Sequence, residues 1–223
     1  MKKLSVILFT ILFTVSSVWA LTPEEKNTIE VYQKVHKGVV TIKNYRESQG
    51  VSGSGAVIKK GGYIITNFHV VADAKKLEVL LNGETMGRSA RIVKVNKKAD
   101  LAIIQVEENI DHIPVLPLGS TDGLMPGQKV IVLGSPYALP GSISVGVCMY
   151  RRDLPLSDSD FLQISNFIQH DATTNPGNSG GPVFNSDGEI IAITSFRITS
   201  DNAPGISMGI PVEYVKAMLK EMA

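Results

Sequence analysis

The chain has 223 residues, of which 43% are hydrophobic and 19% charged, which is ordinary for a folded globular protein. Its 22 basic and 21 acidic residues nearly cancel, so charge provides no reason to expect binding to nucleic acid or to an acidic membrane surface. Cys148 is the only cysteine, which excludes an internal disulfide. Its apolar neighbours predict a buried, unreactive thiol.

The first twenty residues have the pattern of a secretory signal peptide. Met1-Lys2-Lys3 is a short basic region, a mostly apolar stretch follows from Leu4, and Val18 and Ala20 occupy the two positions that a signal peptidase reads. We expect cleavage after Ala20 and an exported protein, periplasmic or secreted, without stable membrane association. The alternative is an uncleaved anchor, although the apolar stretch is at the short limit for a bilayer span.

A helix is predicted next, from Thr22 to Lys37. Thr22 is a favourable N-cap, Pro23 suits the first turn, and two glutamates follow where they complement the positive end of the helix. At the other end of the chain, apolar residues at helical spacing predict a second helix over residues 212–222.

Between these helices the pattern changes to short β-rich runs separated by turn residues. The first six runs are Val39 to Tyr45, Gly55 to Lys59, Tyr63 to Asn67, Leu77 to Leu81, Ser89 to Val95 and Leu101 to Val106. The next six are Lys129 to Leu133, Ser142 to Tyr150, Asn166 to Gln169, Pro182 to Phe184, Ile190 to Phe196 and Ser207 to Ile210. Such spacing predicts an all-β protein. We place one barrel at about residues 38–113 and a second at about 127–211, joined by the turn-rich stretch from Pro114 to Pro126.

Three segments present a reactive side chain beside small or apolar neighbours. His69 ends an apolar strand, Asp100 opens another, and Ser179 lies in a glycine-rich turn. A serine hydroxyl becomes an effective nucleophile when an imidazole accepts its proton and a carboxylate orients that imidazole. Each residue alone is weak evidence, because a lone histidine or a glycine-rich turn is usually structural. The three together predict nucleophilic serine catalysis.

The order of the three residues along the chain distinguishes between two folds that use nucleophilic serine. Gly177 to Gly181 also fits G-x-S-x-G, the nucleophile turn of α/β-hydrolases, but in that fold the acid and the histidine follow the serine. No histidine follows Ser179 here, and the order His69, Asp100, Ser179 is that of the chymotrypsin architecture. We therefore predict a trypsin-like double β-barrel with N-terminal and C-terminal helices.

The chain resembles the protease domain of the HtrA/DegP (Deg) family of serine proteases, over roughly Val39 to the C-terminus. The motifs that carry the resemblance, in order, are Ser52 to Ile58, Thr66 to Val71, Asp100 to Ala102, Leu133 to Tyr137, Asp171 to Pro182 and Gly209 to Val212.

This resemblance implies a role for each motif residue. His69 would be the general base, Asp100 its orienting acid and Ser179 the nucleophile, with the backbone N–H groups of Gly177 and Ser179 forming the oxyanion hole. The segment Thr194-Ser195-Phe196 would be the strand edge that pairs with an extended substrate; the alternative is a core strand without substrate contact. No metal or other cofactor is expected.

Four further expectations concern specificity and assembly. The position six residues before the nucleophile is acidic in the trypsin branch, but here it is Thr173. A neutral residue there predicts a preference for small or medium apolar substrate side chains rather than Arg or Lys. His170 is expected to be a surface or loop histidine rather than a metal ligand. Too few residues follow Val212 for a PDZ domain, so we expect the protease domain only. The family often forms trimers through N-terminal segments, so a homotrimer is one assembly that the resemblance implies.

The sequence thus predicts an endopeptidase that cleaves unfolded or damaged polypeptides. The alternative is a chaperone-like or latent binding protein of the same fold whose protease site rarely assembles. A purely structural β-barrel would leave the three reactive residues unexplained.

Overall fold

Two closed, six-stranded antiparallel barrels make up most of the protein, whose computed structural model describes residues 21–47, 50–153, 164–200 and 203–222. The first barrel contains β1 (Val39–Tyr45), β2 (Val51–Lys59), β3 (Tyr63–Asn67), β4 (Lys76–Leu80), β5 (Arg88–Asn96) and β6 (Leu101–Val106). The second contains β7 (Lys129–Gly134), β8 (Ser142–Arg152), β9 (Phe167–His170), β10 (Pro182–Phe184), β11 (Ile190–Ser200) and β12 (Ala203–Pro211). The strand orders are β1-β2-β3-β6-β5-β4 and β10-β11-β12-β9-β8-β7. The predicted fold class is confirmed; the predicted signal segment lies outside the described residues.

Aliphatic and β-branched side chains fill the barrels, as the pattern of short apolar strands predicts. One buried cluster occupies the first barrel and includes Ile42 and Ile104, and a second, with Val132 and Val183, occupies the second barrel. A third cluster draws buried residues from both barrels, among them Leu101 and Leu133. These shared contacts hold the barrels together and determine how their facing ends meet.

Three α-helices accompany the barrels in the residues that the structure describes. They are α1 (Pro23–Val35), α2 (Phe68–Val71) and α3 (Val212–Lys220). In α1 the predicted cap is confirmed: the Thr22 side chain accepts from the Glu25 amide at 3.2 Å, and the Glu25 carboxylate accepts from the Thr22 amide at 2.7 Å. The helix itself ends earlier than predicted and continues as a short 3₁₀ turn over His36–Gly38.

The segment between β6 and β7 contacts both barrels. The amide of Leu116 donates to the carbonyl of Val57 in β2 at 2.8 Å, and three residues later Gly119 donates to Ile190 in β11 at 2.9 Å. These bonds attach the connection to both barrels.

The expectation that His170 lies on the surface or in a loop is wrong. His170 is the last residue of β9 and is completely buried, between Cys148 of β8 and Ser207 of β12. Neither ring nitrogen has a hydrogen-bond partner among the described residues. The neighbouring strands of the closed barrel cover this strand end, and that long-range contact cannot be read from a local His-Asp pair. Cys148, by contrast, is buried as predicted, and its burial raises the pKa of the thiol.

In the described ranges, no helix is both long and apolar enough to traverse a lipid bilayer. Nor do those residues include three or more His, Cys, Asp or Glu side chains grouped to hold a metal ion.

Candidate active site

The three predicted site residues come from both barrels. Strands β3 and β6 of the first barrel pair at Asn67 and Leu101. Because His69 follows Asn67 in α2 and Asp100 directly precedes Leu101, this pairing brings the two side chains together. Ser179 lies in the turn before β10 of the second barrel.

His69 and Asp100 make two hydrogen bonds. The imidazole Nδ1 lies 2.7 Å from Asp100 Oδ2, and the His69 amide donates to Asp100 Oδ1 at 2.9 Å. An ionised carboxylate can only accept, so this contact favours the tautomer with the proton on Nδ1. The other ring nitrogen, Nε2, is then free to accept a proton. The Asp100 side chain is 13% exposed and that of His69 49%, so the acid is shielded while the imidazole is accessible.

The position of Asp100 depends on an unusual backbone conformation. Its φ is +49°, in the left-handed region that non-glycine residues seldom adopt. Neighbouring groups hold it there: the Asp100 carbonyl accepts from the Phe68 amide and from Asn67 Nδ2, both at 3.0 Å. The Ser195 hydroxyl donates to Asp100 Oδ2 at 3.3 Å. Sequence reasoning assigned Ser195 only to substrate pairing and missed this second contact.

The turn that carries Ser179 requires glycine at two positions. Gly177 has φ +103°, and a Cβ there would lie 2.4 Å from the Ser135 carbonyl oxygen. Gly180 has φ +84°, and its Cβ would lie 2.2 Å from Thr66 Oγ1. Any larger residue would therefore be strained in conformation and would also collide with its surroundings.

Ser54 of β2 connects this turn to the first barrel. Its hydroxyl donates to the Gly177 carbonyl at 2.7 Å and accepts from the Ser135 amide at 2.9 Å, and its own amide donates to the Ser179 carbonyl at 2.8 Å. Sequence reasoning assigned Ser54 no role. The available signal was its place in the glycine-serine run from Ser52, one of the motifs that carried the family resemblance.

The backbone amides of Gly177 and Ser179 have no hydrogen-bond partner among the described residues. They can therefore donate to a developing oxyanion. The Ser179 hydroxyl donates to the Ser195 carbonyl at 3.2 Å, and no hydrogen bond joins it to His69 in the part of the chain that is described. The structure thus joins His69 to Asp100 and links Asp100 through the Ser195 hydroxyl to the residue whose carbonyl accepts from Ser179. The serine hydroxyl is turned toward β11.

Two pockets flank these residues. The first, of about 630 Å³, lies beside His69 and Asp100 and is lined further by Arg46, Lys97 and Phe196. The second, of about 360 Å³, lies beside Ser179; its other lining residues are Thr174, Asn175, Pro176, Thr194, Ser195, Phe196 and Arg197. Substrate groups can therefore be accommodated on both sides of the reactive residues.

The three predicted substrate-contacting residues differ in their backbone bonding. Both backbone polar groups of Thr194 form hydrogen bonds within the protein: its amide donates to the Gly181 carbonyl at 2.8 Å, and its carbonyl accepts from the Gly180 amide at 2.9 Å. The next carbonyl, that of Ser195, accepts a hydrogen bond from the Ser179 hydroxyl. The Ser195 carbonyl thus faces the turn that carries Ser179, and pairing of this segment with a substrate strand stays a prediction.

Comparison with known proteins identifies relatives that are named serine proteases. A family model described as a trypsin-like peptidase domain matches residues 53–193. The zebrafish (Danio rerio) protein "Serine protease HTRA1A" is 37% identical over 204 residues, which cover 86% of this chain and 40% of that protein. A Pseudomonas fulva protein, "Probable periplasmic serine endoprotease DegP-like", is 40% identical over 169 residues, covering 75% of this chain and 33% of the relative. The chain therefore spans less than half the length of these curated relatives.

Among solved structures, "HtrA-type protease AlgW with tripeptide" superposes with a TM-score of 0.77 at 25% identity. The match covers 87% of this chain and 63% of that one.

Proposed function

This chain belongs to the family of trypsin-like peptidase domains, and from that premise we propose that it is a serine endopeptidase acting on unfolded or damaged proteins. The observation that carries the proposal is the 2.7 Å contact between His69 Nδ1 and Asp100 Oδ2, in a pair that Ser195 connects to the Ser179 turn. This arrangement supplies a base, its orienting acid and a nucleophile in the types that acyl transfer requires. Its HtrA-type relatives are named serine proteases.

In the proposed reaction, His69 Nε2 removes the Ser179 Oγ proton as Oγ bonds to the substrate carbonyl carbon. The carbon–nitrogen bond then breaks, and the imidazolium returns the proton to the departing amine. Water, deprotonated by the same nitrogen, hydrolyses the acyl-enzyme and restores Ser179. Asp100 keeps the proton on Nδ1 and stabilises the imidazolium.

Negative charge on the substrate oxygen is assigned to the Gly177 and Ser179 amides. Their lack of other described partners supports this role, because a donor already bonded within the protein would have to break that bond first. The backbone edge starting at Ser195 would pair with the substrate strand, and Thr194 and Phe196 would contribute side-chain contacts.

A chaperone-like or latent state of the same protein is the second candidate. The observation that favours it is the hydrogen bond from the Ser179 hydroxyl to the Ser195 carbonyl, which is made in place of one to His69. We propose that rotation about the Ser179 Cα–Cβ bond, on substrate binding, moves this hydroxyl to the imidazole. A protein that fails to make this rotation would bind unfolded chains without cleaving them.

Location and assembly are proposed on sequence and relatives. The signal-like first twenty residues, and relatives of which one is named periplasmic, support an exported protein that is periplasmic or secreted. A homotrimer is proposed from the family resemblance alone. The proposed partners are unfolded polypeptides, with no nucleic acid and no cofactor.

The test is labelling of the purified protein with a fluorophosphonate probe, with Ser179→Ala as the control. We expect a labelled band that disappears in the variant, together with casein degradation that falls on the order of 10⁶-fold in kcat. Suppression of aggregation without labelling or turnover, in a protein shown by circular dichroism to be folded, would instead support the chaperone-like candidate.

A further inference from the structure

The pocket beside Ser179 is lined by a cation, Arg197, which the specificity predicted from Thr173 does not take into account. We propose that Arg197 makes this pocket selective for an acidic side chain, so that the protein cleaves after glutamate or aspartate. This inference rests on the proposed function, since it concerns the substrate residue whose carbonyl Ser179 attacks.

The pocket lies where the side chain preceding the scissile bond must go. A peptide strand added to the edge of β11 from Ser195 runs past Ser179, because the Ser179 hydroxyl already reaches the Ser195 carbonyl at 3.2 Å. The side chain of the residue under attack then points between two walls. One wall is the segment 174–176, and the other is the segment 195–197.

Arg197 is held in this pocket at both its stem and its head. On β12, Gly205 leaves room for the stem, since a Cβ there would lie 2.3 Å from Arg197 Cδ. At the head, Arg197 Nη1 donates to the Thr174 carbonyl on the opposite wall at 3.1 Å. Gly205 therefore allows the side chain to fold over the strand, and the carbonyl fixes the guanidinium in the pocket.

The guanidinium retains unused binding capacity. A guanidinium carries five N–H donors in a planar fork that matches a carboxylate, and the only hydrogen bond that the Arg197 side chain donates to a described group is the one to Thr174. In the described ranges no carboxylate lies within ion-pair distance of it, and the pocket lining contains no acidic residue. Among the described residues, the pocket thus has a positive charge without a matching negative one.

Thr194 provides an independent indication of the same ligand. It lines the pocket, is 2% exposed, and its hydroxyl has no hydrogen-bond partner among the described residues. A buried hydroxyl without a partner destabilises the fold unless a ligand or water satisfies it. A carboxylate that pairs with the Arg197 fork can also accept from this hydroxyl.

The same charge argues against the apolar preference expected from Thr173. An apolar side chain entering the pocket would remove water from the guanidinium and offer no hydrogen bond in return. A basic side chain would be repelled. An acidic side chain replaces the lost water with charge-assisted hydrogen bonds, which are among the stronger polar contacts in proteins.

Fluorogenic peptides that differ only in the residue before the cleaved bond test the proposal, and Glu against its neutral isostere Gln is the deciding pair. For the natural protein we expect kcat/KM for Glu to exceed that for Gln by about 10- to 100-fold, the range for hydrogen bonds to charged groups. In Arg197→Gln the ratio should fall to about one, and in Arg197→Glu a Lys peptide should become the better substrate. Thr194→Val, which keeps the shape but removes the hydroxyl, should lower the ratio about three- to tenfold.

Arg91→Gln is the matched control, because Arg91 is an exposed arginine of β5 in the other barrel, outside both pockets. Its loss should leave the Glu-to-Gln ratio unchanged.

Fluorophosphonate labelling of every variant distinguishes failure of the pocket assignment from failure of the proposed function. Labelling with a preference for Val or Ala that Arg197→Gln does not alter would overturn this inference and leave the proposed function intact. If Arg197→Gln only admits larger apolar residues, then Arg197 is a steric barrier and the acidic preference is likewise refuted. Absence of labelling would overturn the proposed function itself, and the pocket assignment with it.

Discussion

Acidification is expected to destabilise the protein through the buried His170. Burial lowers the pKa of this imidazole to about 4 from an ordinary value of 6.5, while the nearby Asp171 carboxylate and Ala172 backbone offset part of the effect. Neither forms a hydrogen bond of ordinary geometry with the ring, and Asp171 Oδ1 instead accepts from the Val147 amide at 2.7 Å. The folded protein thus keeps His170 neutral where the unfolded chain is already protonated.

The sign and size of the effect follow from these two pKa values. Between pH 6.5 and about 4 the unfolded state binds more protons, so the free energy of unfolding decreases as the pH falls. The contribution of His170 is complete above pH 6.5 and is lost progressively down to about pH 4. At 1.36 kcal/mol per pKa unit, the loss is about 2 kcal/mol at pH 5 and approaches about 3 kcal/mol near pH 4.

Urea unfolding of an inactive Ser179→Ala background, which cannot digest itself, measures this loss at pH 8, 6.5, 5.5 and 5. His170→Leu should remove about 2 kcal/mol of the decrease between pH 8 and pH 5, although its stability at pH 8 can differ for packing reasons. Carboxylates that titrate in the same range contribute equally to both proteins and cancel in the comparison. His112→Gln, at an exposed turn position, is the control for the loss of a histidine from the surface. Parallel pH curves for the His170→Leu protein and its parent would refute the reasoning.

Three further predictions concern the site and the lone thiol. Gly177→Ala should reduce fluorophosphonate labelling at least about 100-fold, because the new Cβ would lie 2.4 Å from the Ser135 carbonyl at a φ of +103°; labelling at the parental rate would show that the turn tolerates a side chain. Asp100→Asn should lower kcat by about 10⁴-fold on a peptide substrate with little change in KM, since the amide favours the wrong imidazole tautomer; an unchanged kcat would exclude the assigned role. Cys148, buried and with a raised thiol pKa, should resist iodoacetamide at pH 8 in the native protein and react after denaturation, as mass spectrometry can record; rapid native alkylation would contradict its burial.

Local sequence patterns predicted most of the architecture because barrel strands are short and their turns carry recognisable residues. Twelve runs of β-forming residues correspond to the twelve strands described, with differences mainly at the ends. Differences of four residues occur at the start of β2, which begins at Val51 rather than Gly55, and in the β11–β12 hairpin, where β11 extends to Ser200 rather than Phe196. An extended hairpin depends on cross-strand bonds, which a single run of residues does not reveal. The N-cap at Thr22 was predictable for the opposite reason, since both partners in that cap lie within three residues.

What the sequence by itself determined is the set of reactive residue types, their order along the chain and the glycines that a tight nucleophile turn needs. Tertiary structure alone decided which groups touch. The closing of the second barrel buried His170, the approach of the two barrels brought Ser54 to the Gly177 carbonyl, and the space above Gly205 directed Arg197 into the pocket beside Ser179. Backbone conformation follows from neighbouring residues, whereas burial and charge pairing follow from segments far apart in sequence, and these were the features that local patterns missed.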